Sequence, residues 1–460
     1  MLSDRYSLPM AVTSGLASVG LMYVCSKWWK SDVVKGETSG LKIADLRDPD
    51  IRSNHLEFNK MLLSKFPEAD AIRLDDTLDG MPVFLIHRYD RVNEVLQNHE
   101  VFTSNPWLGS RSIVALNTME KSDHDRVLRL IKRFYSAPGV SVWKDLIKNL
   151  VDRHGQNLKK DGDVFAFSKR FHMHLSLQTS GLCDALNVDD PEIDQFVRWN
   201  DSAVLLAAPL GGVGARPVYS FTQICTMVKA AIGCIPQVSK LIRRIGLLET
   251  WKLLSPIETF FPSAPYTQCW DYPGMLIEIP SYFCRVYDLM SKSRENSPSG
   301  VLFSSIGSSI TASEALATVV QLMVNMTTAN AIMSIFFRMS ENVDVKPEQI
   351  LADDAPLQRN LRRAREETTV GSVRIPKGSI ILLMLGAANK SCPVSRSLST
   401  FGHGLHHCLG RHLVGLQLDV VHEWLKSQWA GNKCTILEAS RLVDRDVGNW
   451  GFSKFRISPF

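Results

Sequence analysis

The sequence predicts one mainly helical domain with small β-sheets at its periphery. Helical periodicity fills the centre of the chain, over 141–154, 190–207, 222–244 and 312–340, with apolar residues returning every three or four positions. Strand-like text is confined to short runs: Ile72 to Arg91 around an Asp79-Gly80 turn, Thr369 to Leu385 around Pro376-Lys377-Gly378, and Phe452 to Phe460. Prolines 256, 262, 265, 273 and 280 predict a long irregular connection over 255–280. No repeat or low-complexity linker divides the chain, so residues 31–460 read as one folding unit.

Composition narrows the functional class. Apolar residues make up 45% and charged residues 22% of 460, a folded composition with a large core. The net charge is only +5 and no Lys/Arg stripe stands out, which argues against nucleic acid. A mildly basic face remains available to an acidic redox partner or an anionic membrane. The nine cysteines are odd in number and lack Cys-x-x-Cys pairs, so neither a disulfide framework nor a zinc module is expected. Most should be reduced and buried.

From Tyr6 to Ser26 no side chain is charged, and the stretch ends at Lys27-Trp28-Trp29-Lys30. About 20 helical residues span a bilayer core. The Trp pair suits the interface, and the lysines favour a cytoplasmic side for the rest of the chain. Residues 1–30 are therefore expected to form a single-pass membrane anchor. A cleavable signal peptide and a surface amphipathic segment are the competing readings. No small-x-small cleavage site precedes the Lys/Trp cluster, which favours the anchor.

The most informative stretch is Phe401-Gly402-His403-Gly404-Leu405-His406-His407-Cys408-Leu409-Gly410. Its glycines let the backbone turn sharply and approach a flat ligand. Leu409, Leu413, Leu416, Val420 and Trp424 then repeat at helical spacing. Cys408 thus precedes a helix N-terminus, whose unpaired N–H groups favour a thiolate. The bland alternative is a buried Cys in a Gly-rich turn.

This segment resembles the haem-binding signature of the cytochrome P450 family, Phe-Gly-x-Gly-x-His/Arg-x-Cys-x-Gly. The resemblance implies a mainly α cytochrome P450 fold, haem b as cofactor, Cys408 as axial ligand to the iron, and His406 at a haem propionate. Further pieces come in family order, closer to the bacterial-type sequences. Met119 to Arg133 resembles the helix that brings a His and an Arg to the propionates. His124 matches the His; the Arg position holds Leu128, flanked by Arg126 and Arg129. Thr327-Thr328-Ala329-Asn330, within the apolar run Thr311 to Met339, resembles the central oxygen-activating helix. Thr327 is the implied oxygen-side hydroxyl, or else a core Thr bonded to its own helix. Arg362 falls where an Arg meets a propionate. Ile375-Pro376-Lys377-Gly378 and Gly386-Ala387-Ala388-Asn389 also match. By analogy alone, the substrate pocket falls near 100–115, 196–215 and 320–328.

The chain also departs from the family pattern. The acid before Thr327 is replaced by Met326, and the small pair by Met323-Val324. Gln349-Ile350-Leu351-Ala352 stands where Glu-x-x-Arg is expected, and the connections before 349 and before 401 are short. Either the chain is a naturally reduced member or its translation skips coding segments.

The leading expectation is a monooxygenase acting on a lipophilic small molecule in secondary metabolism. Electrons would come from an NADPH-dependent reductase, with the catalytic domain on the cytoplasmic face of the endoplasmic reticulum. The missing acid motivates a second reading, a haem-dependent isomerase or cyclase without oxygen activation. The missing ion pair motivates a third, a non-catalytic remnant of the fold.

Overall fold

The computed structural model describes residues 39–48, 51, 54–78, 80–104, 116–183, 186–206, 225, 229, 232–254, 272–324, 326–341, 346–392, 398–429, 434–441 and 451–460. The expected anchor over 1–30 lies outside the described residues, as do 105–115 and 207–215 of the expected substrate pocket.

The described chain opens with α1 (Ile43–Arg47), α2 (His55–Lys65), β1 (Ile72–Leu78), β2 (Met81–Ile86), α3 (Tyr89–Gln97) and β3 (Phe102–Thr103). The helical body comes next as α4 (Lys121–Ile131), α5 (Ala137–Ser141), α6 (Lys144–Asp161), α7 (Val164–Ser180), α8 (Pro191–Leu206), α9 (Ile235–Ile245) and α10 (Leu247–Leu254). It continues as α11 (Tyr272–Met290), α12 (Pro298–Ser304), α13 (Ala312–Leu322), α14 (Met326–Ser340) and α15 (Pro347–Asp353). Then come β4 (Asn360–Ala364), β5 (Thr368–Val370), β6 (Val373–Ile375), β7 (Ile380–Leu383), α16 (Leu385–Lys390), α17 (Arg411–Gln428), β8 (Ile436–Arg441) and β9 (Phe452–Ile457). The expected mainly helical domain with small sheets is the one that forms.

The largest sheet has the order β1-β2-β7-β4-β3. Only β2 and β7 run parallel, with Val83 opposite Ile380 and Ile86 opposite Leu383. All four residues of β7 are buried, which explains its unbroken Ile-Ile-Leu-Leu text. Strand β4 pairs antiparallel with β7 and sets Arg362 opposite Ile381. The helical core centres on α6, α7, α14 and α17. Phe167 stacks on Trp424 at 6.0 Å and meets Phe336 edge-on at 5.5 Å. Gly155 of α6 faces Trp424 so closely that a Cβ there would lie 2.2 Å from the indole ring.

Four expectations need correction. The Pro-rich stretch is helical from Tyr272 onward, with Pro280 inside α11. Pro273 occupies the first turn, where its missing N–H costs nothing, and tertiary burial of Tyr282, Val286 and Met290 carries the helix past Pro280. The central helix is not continuous: it stops at Leu322 and restarts at Met326. Gly410 has an ordinary φ of −78°, so no left-handed backbone requires glycine there. Finally, the seven described cysteines carry thiols as expected, but only Cys284 is buried as a whole residue; Cys408 is partly exposed although its sulfur is enclosed.

At the expected Glu-x-x-Arg, Gln349 is exposed, with its Nε2 3.4 Å from Asp353 Oδ2, and Ala352 is half-buried, while neutral groups bind the Leu351 carbonyl between them. Asn389 Nδ2 donates to Thr400 Oγ1 at 2.6 Å and to the Leu351 carbonyl at 3.3 Å. Thr400 Oγ1 donates to the same carbonyl at 2.9 Å, and Ser399 N donates to Asn389 Oδ1 at 2.8 Å. This network ties α15 and α16 to the segment entering the cysteine loop. One turn away, buried Asp354 accepts from Arg338 Nε at 2.7 Å, linking α14 to the end of α15.

His154 and His174 form a buried pair, Nε2 to Nδ1, at 3.0 Å. Gln178 Nε2 donates to His174 Nε2 at 2.9 Å. Burial favours the neutral form of both rings. Burial drives their pKa values down, to about 3 for His154 and about 4 for His174. Both lie below the unfolded value near 6.5, so their stabilisation is complete above pH 6.5 and is lost as pH falls toward 4 and 3. We expect the melting temperature to drop across pH 6.5 to 4. The His154→Gln/His174→Gln double variant should flatten that drop. Identical pH slopes in scanning calorimetry would show that the pair is not buried neutral.

Candidate functional site

The cysteine loop is built by local backbone chemistry. Ser399–Phe401 and Gly404–His406 form single 3-10 turns on either side of left-handed Gly402 (φ 67°), and Gly404 is also left-handed (φ 70°). A Cβ on Gly404 would lie 2.6 Å from the Leu96 carbonyl, so glycine also lets the loop press against the end of α3. Cys408 N donates to the Phe401 carbonyl at 2.8 Å, closing the loop directly ahead of α17.

This places the Cys408 sulfur at a helix N-terminus. Burial pushes its pKa up, while the backbone N–H groups of Gly410 and Arg411 and the Arg411 charge pull it down. A cation at the sulfur would remove the burial penalty and favour the thiolate outright. Among the described residues no group of three or more His, Cys, Asp or Glu converges to hold a metal ion, so Cys408 stands as a single soft donor.

Beside the loop lies a cluster of nitrogen bases. The rings of His406 and His124 meet edge-on at 5.2 Å. The His406 pKa is driven down to about 3 by burial, then by the nearby Arg362 and His124, with His99 contributing. Burial also lowers the pKa of His124, although Asp125 Oδ1 lies 3.3 Å from its Nδ1. Arg362 is only 4% exposed. Its Nη1 donates to Asn360 Oδ1 at 3.2 Å and to the Leu361 carbonyl at 2.7 Å. Among the described residues no carboxylate pairs with Arg362, and burial lowers even its pKa, to about 10. His406 Nδ1 and His99 Nε2 are buried without a hydrogen-bond partner. One guanidinium and three imidazoles thus share a pocket whose charge no described carboxylate balances at Arg362.

Four of the expected site residues are therefore found around one loop: Cys408, His406, His124 and Arg362. Thr327 makes none of these contacts; it lies half-buried in the first turn of α14, after the break in the central helix. The flanking arginines of α4 are occupied elsewhere: Arg126 pairs bidentately with Glu314, and Arg129 Nε donates to the Asp125 carbonyl at 3.2 Å. His99 went unforeseen because a lone His at the end of a helix carries no motif.

No family model matches the chain. Putative cytochrome P450 133B2 of Xylella fastidiosa is 26% identical over 229 residues, 43% of this chain and 54% of that protein. Cytochrome P450 130 of Mycobacterium tuberculosis is 32% identical over 95 residues, 17% of this chain and 23% of that one. The 6-deoxyerythronolide B hydroxylase of Saccharopolyspora erythraea is 38% identical over 85 residues, covering 16% and 21%. The chain spans about half the length of the first of these relatives, and less of the others. Likeness of fold runs further. The structure of CYP109E1 from Bacillus megaterium superposes with a TM-score of 0.64 at 15% identity, over 89% of this chain and 99% of that one. CYP164A2 of Mycobacterium smegmatis gives 0.63 at 17% identity, over 90% and 98%. The fold is thus shared nearly end to end with cytochrome P450 structures, and stretches of the sequence are similar to several cytochromes P450.

Proposed function

We propose that this chain binds haem b through Cys408 and acts as a monooxygenase on a lipophilic small molecule. One observation carries the reading: a lone thiol at a helix N-terminus beside a buried cationic pocket with no carboxylate on its arginine. Haem fits both features, with an iron for the sulfur and two carboxylates for the pocket. Arg362, His406 and His124 would hold the propionates, and His99, with its idle Nε2, would join them. An Arg–carboxylate pair suits this role because the guanidinium fork is rigid and stays charged when buried.

Bound haem with a thiolate ligand supplies the dioxygen activation needed to insert one oxygen atom into a substrate. This chain's own residues do the rest. Gly410 and Arg411 N–H groups temper the charge on the sulfur. Val319, Met323 and Met326, in the apolar cluster beside Thr327, would give the oxygen side an apolar surface suited to a lipophilic substrate. Thr327 would offer the oxygen-side hydroxyl. Hydroxylases acting on 6-deoxyerythronolide B and on vitamin D3 are among the relatives, which supports a terpenoid- or polyketide-like substrate and a role in secondary metabolism.

Exposed Arg129, Lys132 and Arg133 at the end of α4 form a basic edge suited to an acidic electron donor, here an NADPH-dependent reductase. The apolar stretch over 6–26 supports a membrane location. So do Leu247, Leu248 and Trp251, which are 62%, 65% and 52% exposed on α10. The run Ala312–Ser340 is also apolar enough to cross a membrane, but 71% of its most apolar 18-residue window is buried, as befits core helices. We assign the chain to the endoplasmic reticulum, with the catalytic domain in the cytoplasm.

Buried Met326 in place of an acid favours a second reading, a haem isomerase or cyclase that needs no reductase. Turnover without NADPH would support it.

Two outcomes are expected. The ferrous–carbon monoxide difference spectrum should show the red-shifted Soret band of thiolate ligation, absent in Cys408→Ala; purified protein without haem would overturn the proposal. Arg362→Ala should speed haem transfer to apomyoglobin about tenfold or more, since a charge-assisted bond contributes ~1.5–3 kcal/mol. Arg362→Lys should fall between. An unchanged transfer rate would remove Arg362 from the pocket's work.

A further inference from the structure

The break in the central helix has a specific partner. In an unbroken α-helix the Val324 carbonyl would accept from the amide four residues on. Here Val324 lies between α13 and α14, outside both hydrogen-bond ladders. Instead His172 Nε2, from the middle of α7, lies 3.1 Å from that carbonyl. The other ring nitrogen, Nδ1, lies 2.8 Å from the side-chain amide of Gln417 on α17. Both side chains are buried, Gln417 at 0% exposure. Ser176 Oγ lies 3.4 Å from His172 Nε2.

The donors can be assigned. Bonding the Val324 carbonyl requires the proton on Nε2. With Gln417 Oε1 turned toward Nδ1, that nitrogen would need a proton as well, creating a wholly buried imidazolium. It would also leave Gln417 Nε2 buried and idle, as it stands now. Turning the amide end for end removes the need for a second proton, because its two ends have the same shape, and leaves a carbonyl oxygen where the idle N–H group stood. Gln417 Nε2 then donates to His172 Nδ1, and His172 Nε2–H donates to Val324. One neutral imidazole thereby joins the helix after Cys408 to the carbonyl three residues before Thr327.

We propose that His172 is a positioning residue: it holds the break in the central helix and so fixes Thr327 relative to the cysteine helix, with Gln417 setting its tautomer. This rests on the role proposed above for Thr327. A helix end packed apolarly needs no such polar link. A freed carbonyl, however, is costly to bury unbonded, and an imidazole spanning two helices fixes distance as well as satisfying it.

The test uses the full chain and variants at positions 172 and 327. Amide hydrogen exchange at 324–328 should rise at least tenfold in His172→Leu and stay near wild type in His172→Gln, which retains an N–H donor. Exchange in α6, distant from the break, should not change. In the haem-loaded protein, the carbon monoxide stretch of the ferrous adduct should move in His172→Leu in the same direction as in Thr327→Ala. The His172→Leu/Thr327→Ala double variant should add no further shift. Unchanged exchange at 324–328 in a folded His172→Leu protein would overturn the proposal. Faster exchange with an unmoved carbon monoxide stretch would also overturn it, by leaving His172 a merely structural group. Absence of any haem adduct would instead count against the proposed function, while the exchange experiment would still decide whether His172 holds the break.

Discussion

A buried guanidinium without a carboxylate is the constraint on which the function of this protein turns. Arg362 sits in the middle of β4, paired with β7, and is only 4% exposed. Its two hydrogen bonds go to a neutral amide and a carbonyl, which satisfy donors but leave the charge uncompensated. A charge in that position is expensive unless an anion arrives. His406, His124 and His99 sharpen the point, since each is an imidazole that would gain from the same anion. The pocket is therefore better understood as half of a complex than as part of a finished core.

The same physics explains why losing the family's buried ion pair need not destroy the fold. Removing one member of such a pair strands a charge, whereas replacing both by well-bonded neutral groups is often close to neutral in energy. Gln349 and Ala352 remove both members together. Asn389, Thr400 and the Leu351 carbonyl then form a closed network at the junction that carries the cysteine loop. Arg338 and Asp354 add an ion pair one turn away. This arrangement weighs against a collapsed remnant, because the donors of Asn389, Thr400 and Ser399 have all found acceptors.

Much of the fold was legible in the sequence, and the legible parts share a cause. Short strands bounded by Gly and Pro, and long helices with an apolar stripe, are set by local periodicity, so β5 to β7 and α6 and α8 stand where the pattern puts them. The cysteine loop was legible for a stronger reason: Gly402 and Gly404 are needed by left-handed backbone, and few sequences satisfy that need next to a Cys and a helix. The parts that escaped were tertiary. Pro280 looked like a helix breaker, yet burial of the flanking aromatic and aliphatic side chains outweighs one lost hydrogen bond. His99 joined the basic cluster only because the loop folds back onto the end of α3. The even apolarity of 311–339 concealed a break, since hydropathy does not record where a ladder of hydrogen bonds stops.

That break coincides with the missing motif. Where the family pattern has a small pair and an acid, this chain has Met323, Val324 and Met326, and there the helix ends and restarts. The interruption leaves the Val324 carbonyl between the two helices. His172 recovers that carbonyl from a third helix. Loss of the acid, interruption of the helix and the bond from His172 are then three parts of one change, in which a local motif for shaping the central helix gives way to a tertiary one. The oxygen side of the site would be set by packing across α7, α14 and α17 instead of by residues adjacent in sequence, which is why the motif looks damaged while the helices around it remain well packed.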